Sequence, residues 1–584
     1  MQPIGLGLSH PHRTSSDLQR VLAWIVDLMI LLVLAVAVVR FYPIYELVQE
    51  EFYLPGTVDT LLAAGGILAL FEFSRRVWGY PLLLVTLAFV IYLIFGDLLP
   101  QAIAHVPYSP GKIAQTLWYG FDGIFSTIMG VVLNLVFVFI VFGVLLEATG
   151  AGGSLLKVSF ALAGRTRGGP AHAAIVASSI FGTMSGSTVA NVVGTGTFTI
   201  PMILKRGFSP RFAAGLEATA SAGGQILPPI MGAAAFIMAD ITGTAYLLIC
   251  LAALVPALLY YYNLFVSVSI EARKQGIEPL PASEQPKLTR DDYIKSLLFI
   301  APVATVIGTM LSGYSPAFAG FLAVVVTIGT GLVNPDLRNN MGRLLIGLEK
   351  AGKNAASVLF AVAMIGMIIA AMNITGSGLK FAGYIEYLGA GNIVLSLFMA
   401  MLGALLLGMG MPTLPAYLVI ITVLGPAIEQ MGMSALTIHM FVFYFGVASA
   451  ITPPVALASY AAASISGANP LQAGITGIRL GAPMFLIPYM FAFNPTILII
   501  EHFDAVEFIF ALARLGLGLF LMASVLAQFD RLKLSRYESL ARAACAIGLL
   551  STLVLLQIAA FIIGLIVVIL HVRKSRESVS SSVA

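Results

Sequence analysis

Charge is what this chain has least of. Lys and Arg number 31, Asp and Glu 27, and together they make up 10% of 584 residues, against 59% hydrophobic. Soluble domains carry about a quarter charged residues, so a water-facing globular surface is excluded. The net charge of +4 is too small to imply nucleic acid as a partner. There are two cysteines, Cys250 and Cys545, both inside apolar runs. They read as packing residues and leave no disulfide or metal framework. The sequence has no HExxH pattern, no aspartate pairs on neighbouring helices and no Ser–His pair with an orienting acid, which disfavours a membrane enzyme. It also has no GxxxxGK[ST] phosphate loop.

What is present is apolar sequence almost end to end, with a mean hydropathy of +0.97. The runs are continuous rather than alternating, so spanning helices are expected and a β-barrel is not. A polar stretch of about twenty residues precedes the first run. That run lacks a small-residue cleavage site and reads as a retained helix, not a signal peptide.

Loop charges set the expected sidedness. Helices are expected near 21–40, 58–74 and 79–96. The acidic loop with Glu46, Glu50 and Glu51 lies outside, and Arg75 and Arg76 lie inside, as topology determinants. That places the N-terminus in the cytoplasm and 97–116 outside. One long helix near 119–147 returns to the cytoplasm. A short amphipathic segment with Lys157 and Arg165 then lies along the inner surface. Arg273, Lys274, Lys287 and Arg290 mark a cytoplasmic loop, and Arg479 marks the inside again. Further helices are expected near 294–311, 317–333, 354–373 and 481–500. Two last helices, about 507–529 and 544–570, flank a basic inner loop with Arg531, Lys533, Arg536 and Arg542. The tail "HVRKSRES" then falls outside, against its own positive charge.

Two regions break this regularity. Between the basic loops "AGRTRGGP" and "LKRGFSPRF" lie two apolar pieces, 171–184 and 188–204, split by the small, hydroxyl-rich "SGST". They are too short for two full spans and must return to the side they came from, so a re-entrant hairpin is expected over 171–204. A second one, 391–427, is broken at "GMGMPTLP" and enters from outside. The two are related. Pro228/Pro229 in "GGQILPPIMG" and Pro453/Pro454 in "ASAITPPVAL" lie 225 residues apart (453 less 228), and the same offset carries Thr188 to Thr413 and "MSGST" to "MGMPT". The fold expected is therefore an all-α polytopic membrane protein, an inverted-repeat transporter with two re-entrant helical hairpins and a site near the midplane. Proline breaks free backbone carbonyls, which a bound cation would satisfy, while half-helix N-termini attract an anion.

Three side chains stand out. Glu217 follows hairpin one and is a proton-coupling candidate, unless it sits at the inner interface and pairs with Arg206 or Arg211. His439 is the second such candidate, against a packed, hydrogen-bonded histidine. Asn191 contacts substrate or bonds a neighbouring helix. A channel or facilitator is the rival to a carrier. Two broken hairpins of opposite entry favour alternating access.

"LEATASAGGQILPPIMGAAAFIMAD" and "HMFVFYFGVASAITPPVALASYAAA" resemble the fused membrane component of the TRAP (tripartite ATP-independent periplasmic) transporters, in its TAXI branch. The likeness covers roughly residues 20–500. It implies a small-subunit-like scaffold over 1–116, a large-subunit-like core over 117–500, and extra C-terminal helices over 501–584. It implies an elevator mechanism in a bacterial inner membrane and a soluble periplasmic substrate-binding protein as partner. The substrate implied is a carboxylate-bearing organic anion such as a dicarboxylate or glutamate-like solute. No cofactor is implied, only a coupling ion, Na⁺ or H⁺. One Na⁺ site would use Ser185, Gly186, Gly223 and Gly224, and another Gly408, Gly410 and Thr452. Ser187, Thr188, Asn191 and Thr413 would face substrate.

Overall fold

With no water to hydrogen-bond the main chain, an apolar sequence of this kind must close its backbone bonds within helices. The computed structural model describes residues 17–50, 53–279, 281, 288–389 and 392–583. Among them there is no strand, only an isolated bridge between Phe529 and Lys533. Ten helices of the described residues are long and apolar enough to cross a membrane. Glu51 and Lys287, used above as loop charges, lie outside the described residues. The chain divides into two compact units. One comprises Met1–Phe137, Lys350–Gly403 and Leu418–Gly432, and the other Val138–Glu349, Ala404–Tyr417 and Met433–Ala584.

In the first unit the expected helices form as Asp17–Phe41, Thr57–Trp78 and Tyr80–Phe95. Gly79, at φ +74°, makes the tight turn between the last two. Arg75 and Arg76 belong to the last helical turn before it and are not free loop charges. Both pair with Glu72, and Arg76 also reaches Asp27 at 2.6 Å.

One expectation is corrected here. The helix expected over 119–147 starts only at Thr127. The chain before it turns back at Gly123, where a Cβ would lie 2.4 Å from the Leu117 carbonyl oxygen, and this same turn abuts Gly366. Beyond the helix expected near 354–373, which runs to Thr375, a further helix forms, Ser377–Gly389. Lys380 on it donates to the Ala104 carbonyl.

In the second unit, Ala151–Ala163 is the short helix expected after the first long run. It buries Leu155, Phe160 and Ala163, leaves Leu162 exposed, and ties Lys157 to Asp292 at 2.8 Å. Hairpin one is the antiparallel pair Gly169–Ser185 and Thr188–Lys205. Its arms have 17 and 18 residues, about 26 Å each at 1.5 Å per residue, longer than the half-depth pieces expected. Pro210–Gly223, a break, Ala233–Thr242 and the long helix Tyr246–Lys274 follow. Of the second half, Ala435–Ser449, a break and Leu457–Ser466 belong to this unit, while the helices Ile393–Gly408 and Thr413–Glu429 are divided between the two ranges.

The repeat is written in the backbone. Left-handed Gly207 and Gly432, the N-cap residues Ser209 and Ser434, the cis bonds Pro228–Pro229 and Pro453–Pro454, and positive-φ Met231 and Ala456 all keep the offset of 225 (432 less 207). The tips do not keep it. Helix one ends at Ser185 and its counterpart at Gly408, so the second tip, 409–412, is two residues longer than the first, 186–187.

The expected helix over 481–500 is Pro483–Phe493, and it is preceded by Pro470–Leu480, which the sequence reading left unassigned. Arg479 on that earlier helix pairs with Glu271 at 3.1 Å.

The C-terminal reading is also corrected. One helix was expected over 544–570. Instead Arg536–Gly548 ends at a turn, and Val554–Val583 runs back beside it. Gly548 permits this, since a Cβ there would lie 2.9 Å from that of Ala560. His571 closes the pair. Its Nε2 accepts from the backbone N–H of Leu532 at 3.3 Å, and its Nδ1 lies 2.7 Å from Glu538 Oε1. The basic tail therefore sits at the same end as the basic loop, not opposite it, which removes the conflict with its charge. Arg542 is no loop determinant. It is fully buried and bonded to Asp530 at 3.2 Å and Glu538 at 3.0 Å.

Candidate functional site

Hairpin one turns in two residues because each has a specific backbone task. Gly186 takes φ +59°, ending the first arm. Ser187 caps the return arm, its Oγ accepting from the Ala190 N–H at 3.3 Å. Ser185 Oγ donates to the Ser187 carbonyl at 3.3 Å. The tip lies against the first Pro-Pro break. A Cβ on Gly186 would fall 3.3 Å from Gly232 Cα, and one on Gly224 would fall 2.5 Å from Gly182 Cα. Backbone meets backbone at both points, which only glycine permits. Gly223 makes the same room for a ring, with Tyr260 Cε1 2.4 Å from its notional Cβ.

Asn191 is fully buried in this junction. Its Nδ2 donates to the Ser178 carbonyl at 2.8 Å and the Ser221 carbonyl at 3.4 Å, and its Oδ1 lies 3.2 Å from Thr195 Oγ1, whose proton goes to Glu217. The amide nitrogen thus bonds the first arm and the helix Pro210–Gly223.

Glu217 is fully buried too. It does not pair with Arg206 or Arg211. Three hydroxyls donate to its carboxylate: Ser178 and Thr195 to Oε1, and Thr199 to Oε2, each at 2.6 Å. Ser178 comes from the first arm and the two threonines from the return arm, so the carboxylate ties the hairpin to the helix behind it. A hydroxyl can donate or accept. The cage can therefore hold the carboxyl ionised, or protonated after one hydroxyl rotates. The sequence carries a sign of it: Asn191, Thr195 and Thr199 recur every four residues, one polar stripe on the return arm.

Among the described residues, Thr188 Oγ1 and both Oε1 and Nε2 of Gln225 are buried here with no hydrogen-bond partner. Gln225, the residue after Gly224, is 1% exposed, and Thr188 3%. Sequence reasoning passed over Gln225, which sits in plain view between the paired glycines and the prolines.

The carbonyl of Pro229 is within hydrogen-bond reach of the Tyr246 hydroxyl at 2.8 Å, and that of Pro454 accepts from Tyr460. In both halves a tyrosine hydroxyl thus lies against the carbonyl of the second proline.

In the second half, Gly410 takes φ +74° and Thr413, buried, opens the return arm. Gly408 closes the first arm. Thr452 Oγ1 donates to the Ala448 carbonyl of its own helix at 2.7 Å. His439 Nδ1 lies 2.6 Å from the Tyr417 hydroxyl, a packed and bonded histidine. The halves interlock through Gly215, whose notional Cβ would lie 3.0 Å from the Gly477 nitrogen.

An all-helical chain with these spans is a polytopic membrane protein. The family model for the DctM component of the tripartite ATP-independent periplasmic transporters matches residues 66–506, and the chain belongs to that family. It is similar to the C4-dicarboxylate TRAP transporter large permease protein DctM of Pseudomonas aeruginosa, 25% identical over 376 residues, covering 63% of this chain and 83% of that protein. It is equally similar, 25% over 375 residues, to the sialic acid TRAP transporter large permease protein SiaM of Vibrio cholerae, covering 62% and 85%. Among solved structures it is similar to the Alcanivorax borkumensis YdaH transporter, with a TM-score of 0.48, 17% identity, and 72% and 98% coverage.

Proposed function

We propose that this chain is the membrane part of a secondary active carrier for a carboxylate-bearing organic anion, delivered by a soluble periplasmic binding protein of the TAXI type and driven by a Na⁺ or H⁺ gradient. The names of its relatives, a C4-dicarboxylate and a sialic acid permease, support an acidic substrate. On this reading residues 1–116 act as a fused small-subunit-like scaffold, and the re-entrant hairpins move as an elevator within the bacterial inner membrane, the N-terminus being cytoplasmic.

One observation carries the site: Thr188 and Gln225, buried and unpartnered, at the junction between the hairpin-one tip and the first Pro-Pro break. A buried amide with no partner costs about 1–3 kcal/mol. That cost is recovered when a solute or ion with complementary groups enters. Gln225 Nε2 and Thr188 Oγ1–H can donate to a carboxylate, and the return-arm N-terminus at Thr188 favours the same charge. Thr413, opening the matching arm of hairpin two, is the counterpart donor. Asn191 acts as a positioning residue that holds both arms. Ser185, Gly186, Gly223 and Gly224 remain the proposed ion site beside hairpin one, with Gly408, Gly410 and Thr452 beside hairpin two.

Glu217 supplies a second reading of the coupling ion. Its cage contains hydroxyls and no cation, so proton uptake there would alter hairpin packing directly. His439, bonded to Tyr417, is the weaker proton candidate. The test is reconstitution in liposomes with the binding protein and separately imposed Na⁺ and H⁺ gradients. Accumulation above equilibrium supports a carrier, equilibration alone supports a facilitator, and chemically altered solute would identify an enzyme.

A further inference from the structure

The C-terminal helices do more than add a span. Arg536–Gly548 leaves the loop at 528–535, and Val554–Val583 brings the chain back, so that His571 rests on the backbone of Arg531 and Leu532. From Val554 to His571 is about 26 Å of helix. This return gathers the exposed side chains of Arg531, Lys533 and Arg536 with those of Arg573, Lys574 and Arg576, one turn beyond His571, at one end of the unit. Of the acids of that end, Glu577 is exposed among the cations and two others are taken up by partners. Asp530 and Glu538 are taken up by buried Arg542, and Glu538 also by His571. The outer surface is left basic, with Tyr537, 87% exposed, among the charges.

Below this basic end lies a cavity of about 190 Å³, lined by Leu519, Met522 and Leu526 of Ala505–Ala527 and by Ala543, Ala546 and Ile547 of Arg536–Gly548, among others. Its walls are almost wholly apolar. At the deep end is Arg514, whose guanidinium is directed to Asn494 Oδ1 at 2.9 Å. An apolar slot running down from a cluster of exposed cations fits one amphiphile: a chain of hydrocarbon below a negatively charged headgroup.

We propose that this end of the chain is a binding site for an anionic phospholipid, with one acyl chain in the slot between Ala505–Ala527 and Arg536–Gly548 and the headgroup phosphate against Arg531, Lys533 and Arg536. By the positive-inside rule this is the inner leaflet.

The test uses the full chain reconstituted in nanodiscs of phosphatidylcholine with phosphatidylglycerol, re-extracted in detergent, with retained lipid measured by mass spectrometry. Phosphatidylglycerol should be enriched over phosphatidylcholine. Each single variant Arg531→Gln, Lys533→Gln or Arg536→Gln should lower that enrichment by about fivefold, the equivalent of about 1 kcal/mol per basic residue at an anionic surface. All three side chains are exposed, so the fold should survive. Ala546→Phe, which fills the slot and leaves every charge in place, should lower retention of phosphatidylglycerol as well. Equal retention of the two lipids by the unaltered chain, enrichment indifferent to the charge variants, or full retention by Ala546→Phe would each overturn the proposal.

Discussion

Gly182 and Gly224 meet backbone to backbone, so close that a single methyl on Gly224 would stand 2.5 Å from Gly182 Cα. This contact joins the first arm of hairpin one to the segment that carries Gln225 and the cis Pro228–Pro229 bond. It is the feature on which the rest of the site depends.

Gly224→Ala should therefore lower thermal stability by about 1–3 kcal/mol, the range for overpacking a tight core, and abolish uptake. Gly308→Ala, in a helix with nothing within 4 Å of its notional Cβ, should be neutral or slightly stabilising. Melting temperatures and uptake of the two variants, measured in parallel, check the contrast.

Gln225 and Asn191 should separate stability from function. Asn191→Leu removes the partner of two backbone carbonyls, and should cost about 1–3 kcal/mol. Gln225→Leu removes an amide that bonds nothing. It should leave stability unchanged or raise it while uptake falls at least tenfold, a loss of about 1.4 kcal/mol in transition-state binding. Thermal unfolding and initial uptake rates give both answers.

Glu217→Gln replaces one carboxylate oxygen by an NH₂ donor inside a cage of three hydroxyl donors. If Glu217 carries the proton, uptake driven by a pH gradient should vanish while solute counterflow persists. Uptake that keeps its full response to the pH gradient in this variant would remove Glu217 from the coupling step and leave Na⁺.

At the C-terminal hairpin, Arg542→Met should destabilise by up to about 3–5 kcal/mol, because it leaves buried Asp530 with only the more distant Arg273, at 3.7 Å. Arg542→Met combined with Asp530→Asn should recover much of that loss. A thermal double-mutant cycle reads the coupling directly.

Much of the architecture was legible in the sequence because the bilayer imposes it: length and hydropathy mark spans, and small residues with prolines mark breaks. The offset between Pro228 and Pro453 survives as matched glycines, caps and turns. What the sequence hid was of another kind. The break before Thr127 comes from Gly123 folding onto the Thr116 and Leu117 carbonyls, a local close approach without a compositional signal. Arg542 looked like one more loop charge because it was read as loop rather than helix, where Glu538 is its i,i+4 neighbour, and because Asp530 reaches it only across the turn. The hairpin tip of the second half is longer by two residues, which an ungapped alignment of "MSGST" with "MGMPT" conceals. At the site, Glu217 was visible as an ionisable residue in an apolar run. Its cage was not, since serine and threonine in helices ordinarily bond their own backbone.

The most direct measurement is solute uptake by the reconstituted chain with its binding protein, under an imposed Na⁺ or H⁺ gradient, with the Gln225→Leu variant alongside. The account predicts accumulation of an acidic solute above equilibrium that follows one of the two gradients and is lost in the variant. Uptake that stops at equilibrium with no dependence on either gradient, or that proceeds unchanged in Gln225→Leu, would contradict it.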